Sequence, residues 1–381
     1  MFQFFRSILP ALVLLLAAAL YACAAMSAQD APSEWVYVGT QDHHIETLRL
    51  DTLSGELAFV ASSGGDIRPT WLMAHPRLPV LYAVDDQSNS PGSVTAFGVN
   101  RETGDLCRLG VVATQGVGTT HLTFDAPSDT ILAANYNSGS VSSVAVRDGE
   151  PKALASTISE RGSGPNKRQM SAHAHDAAVD PSGRYVIVPD LGADRVFIYR
   201  FDRSTRMLSK DDLNPSRDFV SPFGSGPRHI VFGADGRFAY LVTELSAEVM
   251  VFRWDAQQGR LTLAQSLPIS TAGFAGVKSG AEIAVSGDGH FVYVADRGEN
   301  EIVAYRVDVG SGTLSEIQRL PSDGMKPWSF GIDPTGRWLV VANQGSGTVT
   351  VLAIDRASGL VRSMGRSVKV EHAVSVAFVS R

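Results

Sequence analysis

Cysteine is nearly absent from this chain of 381 residues: there are two, Cys23 and Cys107. Cys23 falls in an apolar leader, so no internal disulfide is available and a core alone must hold the fold. Cys107 is expected to be a small buried apolar residue. Basic charge is also scarce. Lys and Arg total 33 against 39 Asp and Glu, a net charge of −6. Without a basic patch, nucleic acid is excluded as a partner. No GxSxG elbow, phosphate-cradling glycine loop or zinc-spaced Cys/His cluster occurs, and nothing calls for a metal or other cofactor.

Long hydrophobic runs are missing too, except at the start. MFQFFRSILPALVLLLAAALYACAAMSAQ carries one early cation, Arg6, and an apolar run from Ile8 to Leu20. That pattern reads as a secretory signal over residues 1–28. The run is short for a membrane span. Cleavage could follow Ala24. Leu20-Tyr21-Ala22-Cys23 offers the rival reading of a lipoprotein signal with Cys23 as lipid anchor. Either way the mature protein is expected to be exported, to the periplasm or beyond.

What the chain has in abundance is turns, with 36 glycines, and a repeat. GPRHIVFGADGRFAYLVTE, from Gly226 to Glu244, shows two short apolar runs joined by a Gly-Ala-Asp-Gly-Arg turn, the mark of a β-hairpin. Equivalent turns recur at Pro76, Pro127, Pro181, Ala234, Gly287 and Pro334, in steps of 51, 54, 53, 53 and 47 residues. A third strand follows each hairpin (SVTAFGV, RVFIYRF, EVMVFRW, EIVAYRV), and a turn then leads to a fourth. Four strands per unit of this length is a propeller blade. The ends supply a seventh: WVYVGT lacks a first strand, and AVSVAFV at the C-terminus is a first strand without a blade. The expected fold is therefore all-β, one seven-bladed β-propeller over 33–381, closed by pairing of the terminal strands. Closure removes the exposed edges that invite aggregation. Nothing in the sequence compels an oligomer. Gly162–Gln169, the longest polar insertion, is expected to be a loop on one face.

In a propeller the start of each first strand and the end of each second open on the same face of the channel. Six residues before the turn anchors lie Thr70, His121, His175, Arg228, Ala281 and Trp328, with His372 near the equivalent place at the end. Nine or ten residues after them lie Asp85/Asp86, Tyr136/Asn137, Asp190, Glu244, Asp296/Arg297 and Asn343/Gln344. His121, His175, Arg228, Glu244 and Arg297 are thus expected round one mouth, a pocket suited to a polar anion. Any one of them taken alone reads equally as solvated rim. His173 alternates with His175, so one of the two should turn away. His43, His44 and His75 lie off the register and read as surface or structural. Arg184, Arg237 and Arg337, in the hairpin turns, read as structural.

Several segments together give the chain a resemblance to the seven-bladed propeller lactonases, a family that includes propeller-type 6-phosphogluconolactonases and carboxymuconate cyclases. They are ANYNSGSV, RQMSAHAHDAAVDPSGRYVIVPDLGADRVFIYRF, GSGPRHIVFGADGRFAYLVTELSAEV, YVADRGENEIVAYRV and DPTGRWLVVANQGSGTVTV. The resemblance implies a catalytic set of His175, Arg228, Glu244 and Arg297, with His175 or Glu244 as general base and the arginines facing the oxyanion. His121, Asn137, Asp190, His229, Trp328 and Asn343 are the expected substrate-binding residues, and a small lactone or sugar acid the expected ligand. Three departures stand out. Lys326-Pro327 is followed by Trp328 where the family commonly has arginine, Asp85-Asp86 replaces Asn-Glu, and Ala172 replaces the proline before His-Ala-His. An indole in place of a channel arginine favours a less anionic ligand than a sugar phosphate. The expected activity is metal-independent lactone hydrolysis; the alternatives are a non-catalytic binding propeller of the cell envelope and a lactone-forming cyclase.

Overall fold

The computed structural model describes residues 32–210 and 217–381. The leader 1–28 with Cys23 lies outside the described residues. Among those described there is no helix long and apolar enough to cross a membrane. The chain folds into seven antiparallel sheets. The inner strands run Leu72–Ala74, Thr119–Asp125, Ala178–Val179, Pro227–Phe232, Gly280–Val285, Pro327–Ile332 and Ala373–Ser380, for blades 1 to 7. Inner strands of neighbouring blades touch, except that at the junction of blades 3 and 4 the second strand of blade 3, Tyr185–Asp190, meets the blade 4 inner strand. Blade 7 pairs Ala373–Ser380 with Ser33–Thr40, His44–Asp51 and Leu57–Gly64, so the termini close the ring. Blade 3 differs slightly. Its outer edge is made in two pieces, Met207–Ser209 and Phe219–Val220, both paired to Arg195–Asp202.

Why the repeat makes blades is visible in the second strands. Phe238–Thr243, Phe291–Asp296 and Trp338–Asn343 are buried at every position, because each is packed between two neighbouring blades. A strand covered on both faces must be apolar throughout rather than alternate. Tyr240, Val242, Val249 and Val251 of blade 4 pack on Val292, Val294, Val303 and Tyr305 of blade 5, and similar clusters fill the other blade interfaces.

The hairpin turns act twice. Asp180 Oδ1 accepts the N–H groups of Arg184 and Tyr185 at 2.8 Å, which fixes the Asp-Pro-Ser-Gly-Arg turn. Asp333 does the same for Arg337 and Trp338. In blades 3, 4 and 6 the arginine that ends the turn then crosses to the next blade. Arg237 Nη2 donates to Val309 O at 2.7 Å, Arg184 reaches Ala256 O and Arg337 reaches Thr52 O. Gly312 must be glycine for the same packing: its φ is +75°, and a Cβ would lie 2.2 Å from the Phe238 ring.

Cys107 corrects the sequence reading. It is exposed, on the outermost strand of blade 1 (Leu106–Val117), which covers a neighbour with one face only. His75 is buried, its Nδ1 accepting the Arg77 N–H at 3.0 Å, and His44 is an exposed partner of Ser62. His372 lies at the rim, half-exposed and paired with Asp42 rather than in the channel.

Candidate active site

The blade 4 hairpin shows how the mouth is built. Pro227 pairs with Thr243 and His229 with Val242, which leaves Arg228 as the extra residue of a bulge. Blades 2, 5 and 6 carry irregularities at the matching place, at Thr119/His121, Gly280/Ile283 and Pro327/Ser329. A bulge bends the strand and re-aims its side chains. Here it turns the Arg228 guanidinium across the hairpin, so that Nε donates to Glu244 Oε2 at 3.1 Å.

Counting from the first residue of each hairpin turn (His75, Asp125, Asp180, Gly233, Ser286, Asp333) sorts the channel into layers. Five residues before it stand Thr70, Thr120, His175, Arg228, Ala281 and Trp328. Four before it stand Trp71, His121, Asp176, His229, Glu282 and Ser329. This corrects the level of His121. Its proline follows Asp125 by two residues, whereas Pro181 follows Asp180 directly, so counting from proline places His121 one step too near the mouth. His121 is level with His229, and its Nδ1 lies 2.8 Å from Asp176 Oδ1. Ten residues after the turn starts stand Asp85, Asn135, Asp190, Thr243, Asp296 and Asn343, and eleven after stand Asp86, Tyr136, Leu191, Glu244, Arg297 and Gln344.

The ten-after position is structural. Asp190 is fully buried, and its Oδ1 accepts the N–H groups of His173 at 2.8 Å and Ala193 at 2.7 Å. Asn343, also fully buried, donates to Thr350 Oγ1 at 3.0 Å. These bonds hold the local backbone and the neighbouring strand, while Asp190 Oδ2 and Asn343 Oδ1 have no partner among the described residues. Asn137 is displaced in the opposite sense, one residue past Tyr136 in an exposed turn.

Glu244 is the centre of the mouth. Arg228 Nε lies 3.1 Å from its Oε2, Arg297 Nη2 lies 2.8 Å from its Oε1, and Arg168 Nη1 also pairs with Oε1. His175 Nε2 is 3.8 Å away. Arg168 was not foreseen. It sits on the insertion after blade 2, outside the repeat, so no register count reaches it. The insertion is pinned by Gln169, whose Nε2 donates to Asp194 Oδ1 at 2.6 Å and Leu191 O at 2.8 Å. That anchor lowers Arg168 onto Glu244 and Tyr136.

Burial works to raise the Glu244 carboxyl, but Arg297, Arg228 and Arg168 outweigh it and hold it far below the usual carboxylate range. Three guanidiniums on one carboxylate leave the mouth with an excess of two positive charges in this group. Burial, reinforced by Arg228 and His229, pushes His175 well down, so its ring is neutral. Two buried polar atoms here have no hydrogen-bond partner among the described residues: His175 Nδ1 and Arg297 Nη1. Buried polar groups rarely go unpaired, and these two mark where a ligand would bond. Trp328 is half-buried, and the Arg297 guanidinium lies 4.2 Å from its ring centre. His173 stacks on Tyr136 at 4.5 Å and lies 2.8 Å from the Tyr136 carbonyl, while His175 meets the same ring edge-on at 5.4 Å.

A second polar layer supports the first. Ser329 Oγ donates to Glu282 Oε2 at 3.0 Å, and Glu282 Oε1 lies 2.9 Å from His229 Nδ1. Burial pushes His229 down and Glu282 up, which favours the neutral pair. His229 in turn lies 3.1 Å from Arg228 Nη1. His229 and His121 are both buried, with the Trp71 ring centre 4.0 Å from that of His121 at a tilt of 41°. They underlie Arg228 rather than line the open mouth.

Comparison with known proteins agrees with this geometry. Residues 35–378 match the family described as "Lactonase, 7-bladed beta-propeller". A 6-phosphogluconolactonase of Bacillus subtilis is 30% identical over 348 residues, 90% of this chain and 97% of that protein. Another, from Formosa agariphila, is 29% identical, covering 87% of this chain and 94% of the relative. Among solved structures, the periplasmic gluconolactonase PpgL of Pseudomonas aeruginosa superposes with a TM-score of 0.84 at 33% identity, covering 91% of this chain and 99% of that one. The chain belongs to the seven-bladed β-propeller lactonase family.

Proposed function

We propose that the mouth hydrolyses an unphosphorylated sugar-type lactone, without a metal, in a protein exported from the cytoplasm. The observation that carries this reading is the group of Arg168, Arg228 and Arg297 on the single carboxylate of Glu244, with Arg297 Nη1 and His175 Nδ1 left unpartnered. Lactone opening puts negative charge on the carbonyl oxygen as water adds. Fixed guanidiniums in a water-poor site stabilise that charge by several kcal/mol, on the order of 3 kcal/mol for one well-placed donor. Glu244 holds the guanidiniums in place. Its own basicity is lowered by them, which assigns it to positioning rather than to proton abstraction. His175, neutral, offers Nδ1 to a substrate hydroxyl or ring oxygen.

Two features support the substrate class. The Arg297 guanidinium lies over the Trp328 ring at 4.2 Å, and an indole at this position in place of a further cation suits a sugar ring more than a phosphate. The named activity of the periplasmic relative is gluconolactone hydrolysis, and the leader of this chain reads as a secretory signal. Proton release in a pH-stat tests the reading, with glucono-δ-lactone, 6-phosphogluconolactone and an aromatic lactone offered to the mature protein. The expected result is turnover above the spontaneous rate, fastest on glucono-δ-lactone, and at least ~100-fold slower in Arg228→Ala. No turnover on any lactone by a folded protein would refute it in favour of a binding propeller.

A further inference from the structure

We propose that Asp86, across the mouth from the arginines, is the general base that takes the proton from the attacking water. The inference rests on the lactonase reading above. It begins from register. Asp86 stands eleven residues after the blade 1 turn start His75, the position held by Glu244 after Gly233 and by Arg297 after Ser286. The capping role is already filled by its neighbour: Asp85 Oδ1 accepts the Arg68 N–H at 3.0 Å, as Asp190 accepts that of His173. Asp86 is therefore free for the mouth. Thr70, five residues before the turn and so level with His175 and Arg228, donates from Oγ1 to Asp86 Oδ2 at 2.9 Å. Thr70 and Asp86 are thus to blade 1 what Arg228 and Glu244 are to blade 4.

The surroundings differ in the way a base requires. Glu244 is saturated by three guanidiniums, whereas Asp86 faces one cation only at a distance, with Arg68 Nη1 3.9 Å from Oδ2. Its side chain is about four-fifths buried, at 20% exposure. Burial, with Asp85 adding repulsion, outweighs Thr70 and Arg68 and pushes the carboxyl up to about 6. Such a carboxylate is ionised at neutral pH yet more basic than Glu244, and a base tuned near the working pH is the efficient one. Between Asp86 and the arginine arc the rim carries Gln344 and Gln41, hydrogen-bonded to each other at 3.1 Å, with the half-exposed His372–Asp42 pair beside them.

The step balances without a further reactant. As the water oxygen bonds to the lactone carbonyl carbon, its proton passes to Asp86, and the carbonyl electron pair moves to the oxygen facing Arg228 and Arg297. When the tetrahedral intermediate collapses, the ring C–O bond breaks and the departing alkoxide takes the proton from Asp86. The hydroxy acid formed then ionises, and Asp86 returns as carboxylate.

The test is a pH–rate profile of kcat/KM for glucono-δ-lactone with wild type, Asp86→Asn and Thr70→Val. The wild type should show an acid limb with a midpoint near pH 6. Asp86→Asn should lose at least ~100-fold in kcat, keep KM within a few-fold, and lose the limb. Thr70→Val, which removes a bond that favours the carboxylate, should move the limb to higher pH, so the inference remains testable if Asp86→Asn fails to fold. Asp86→Asn retaining more than a tenth of wild-type kcat, or a limb unmoved in Thr70→Val, overturns this inference and leaves the lactonase reading standing. Absence of turnover by the wild type on every lactone overturns both.

Discussion

Replacing Glu244 by Gln removes the one anion shared by three guanidiniums, and the consequence for stability follows from burial. Glu244 and Arg228 are both 3% exposed at the side chain, and Arg297 is 9% exposed. In Glu244→Gln two guanidiniums remain buried without a counter-charge. Breaking a buried pair from one side costs roughly 3–5 kcal/mol. For a domain of this size, about 1.5–2 °C of melting temperature per kcal/mol gives a fall of about 4–10 °C. The pH dependence has a definite sign. The folded carboxyl is held below its unfolded value of 4.5, so its contribution is fully present above that value and is lost as pH falls through the folded one. The gap between wild type and variant in thermal unfolding should be constant above about pH 5.5 and narrow toward pH 3. Arg168→Ala is the control: that side chain is 42% exposed, and its loss should cost at most ~1 kcal/mol. A Glu244→Gln protein melting within a degree of wild type at pH 7 would refute the idea that this carboxylate holds the mouth together.

Two further outcomes follow from other contacts. Trp328→Ala removes the ring beneath Arg297, and a cation–π contact is worth about 0.5–2 kcal/mol; the expected result is a KM for glucono-δ-lactone raised roughly 2- to 30-fold in steady-state assays, with kcat less affected. Glu160 is buried beside Asp190 and accepts a hydrogen bond from Tyr199 at 3.1 Å. Burial, with Asp190 adding, pushes its carboxyl well above the usual range. Its contribution is therefore present below the unfolded value and is lost as pH rises through the folded one. Glu160→Gln should raise stability to urea at pH 8 by about 1 kcal/mol, with no gain at pH 4.

The blades were legible because apolar strand pairs and their turns recur at a near-constant step, and in blades 3 and 6 the turn carries an aspartate that accepts two backbone N–H groups, then glycine, then an arginine that crosses to the next blade. The terminal strands were legible from their apolar pattern, a lone first strand at the C-terminus and the rest of its blade at the N-terminus. Arg228, Glu244 and His175 followed from the hairpin register, and their contacts were then found in the structure. The errors came from offsets of a single residue. Proline falls later in the blade 2 turn, which misplaced His121 by one step. Asp190 and Asn343 stand ten residues after their turn starts, one short of the position that Glu244 and Arg297 hold in their own blades. Arg168 was invisible because it sits on an insertion, and a repeat predicts nothing about what interrupts it. Cys107 misled because a cysteine on an outer strand needs no burial.

A crystal structure with an aldonate product bound would show whether the lactone carbonyl meets Arg228 and Arg297 at the mouth. The expected result is the carboxylate within hydrogen-bond reach of Arg297 Nη1 or Arg228, with the hydroxyl chain running toward Thr70 and Asp86. An aldonate bound elsewhere on the propeller, or no occupancy of the mouth at saturating ligand, would contradict it.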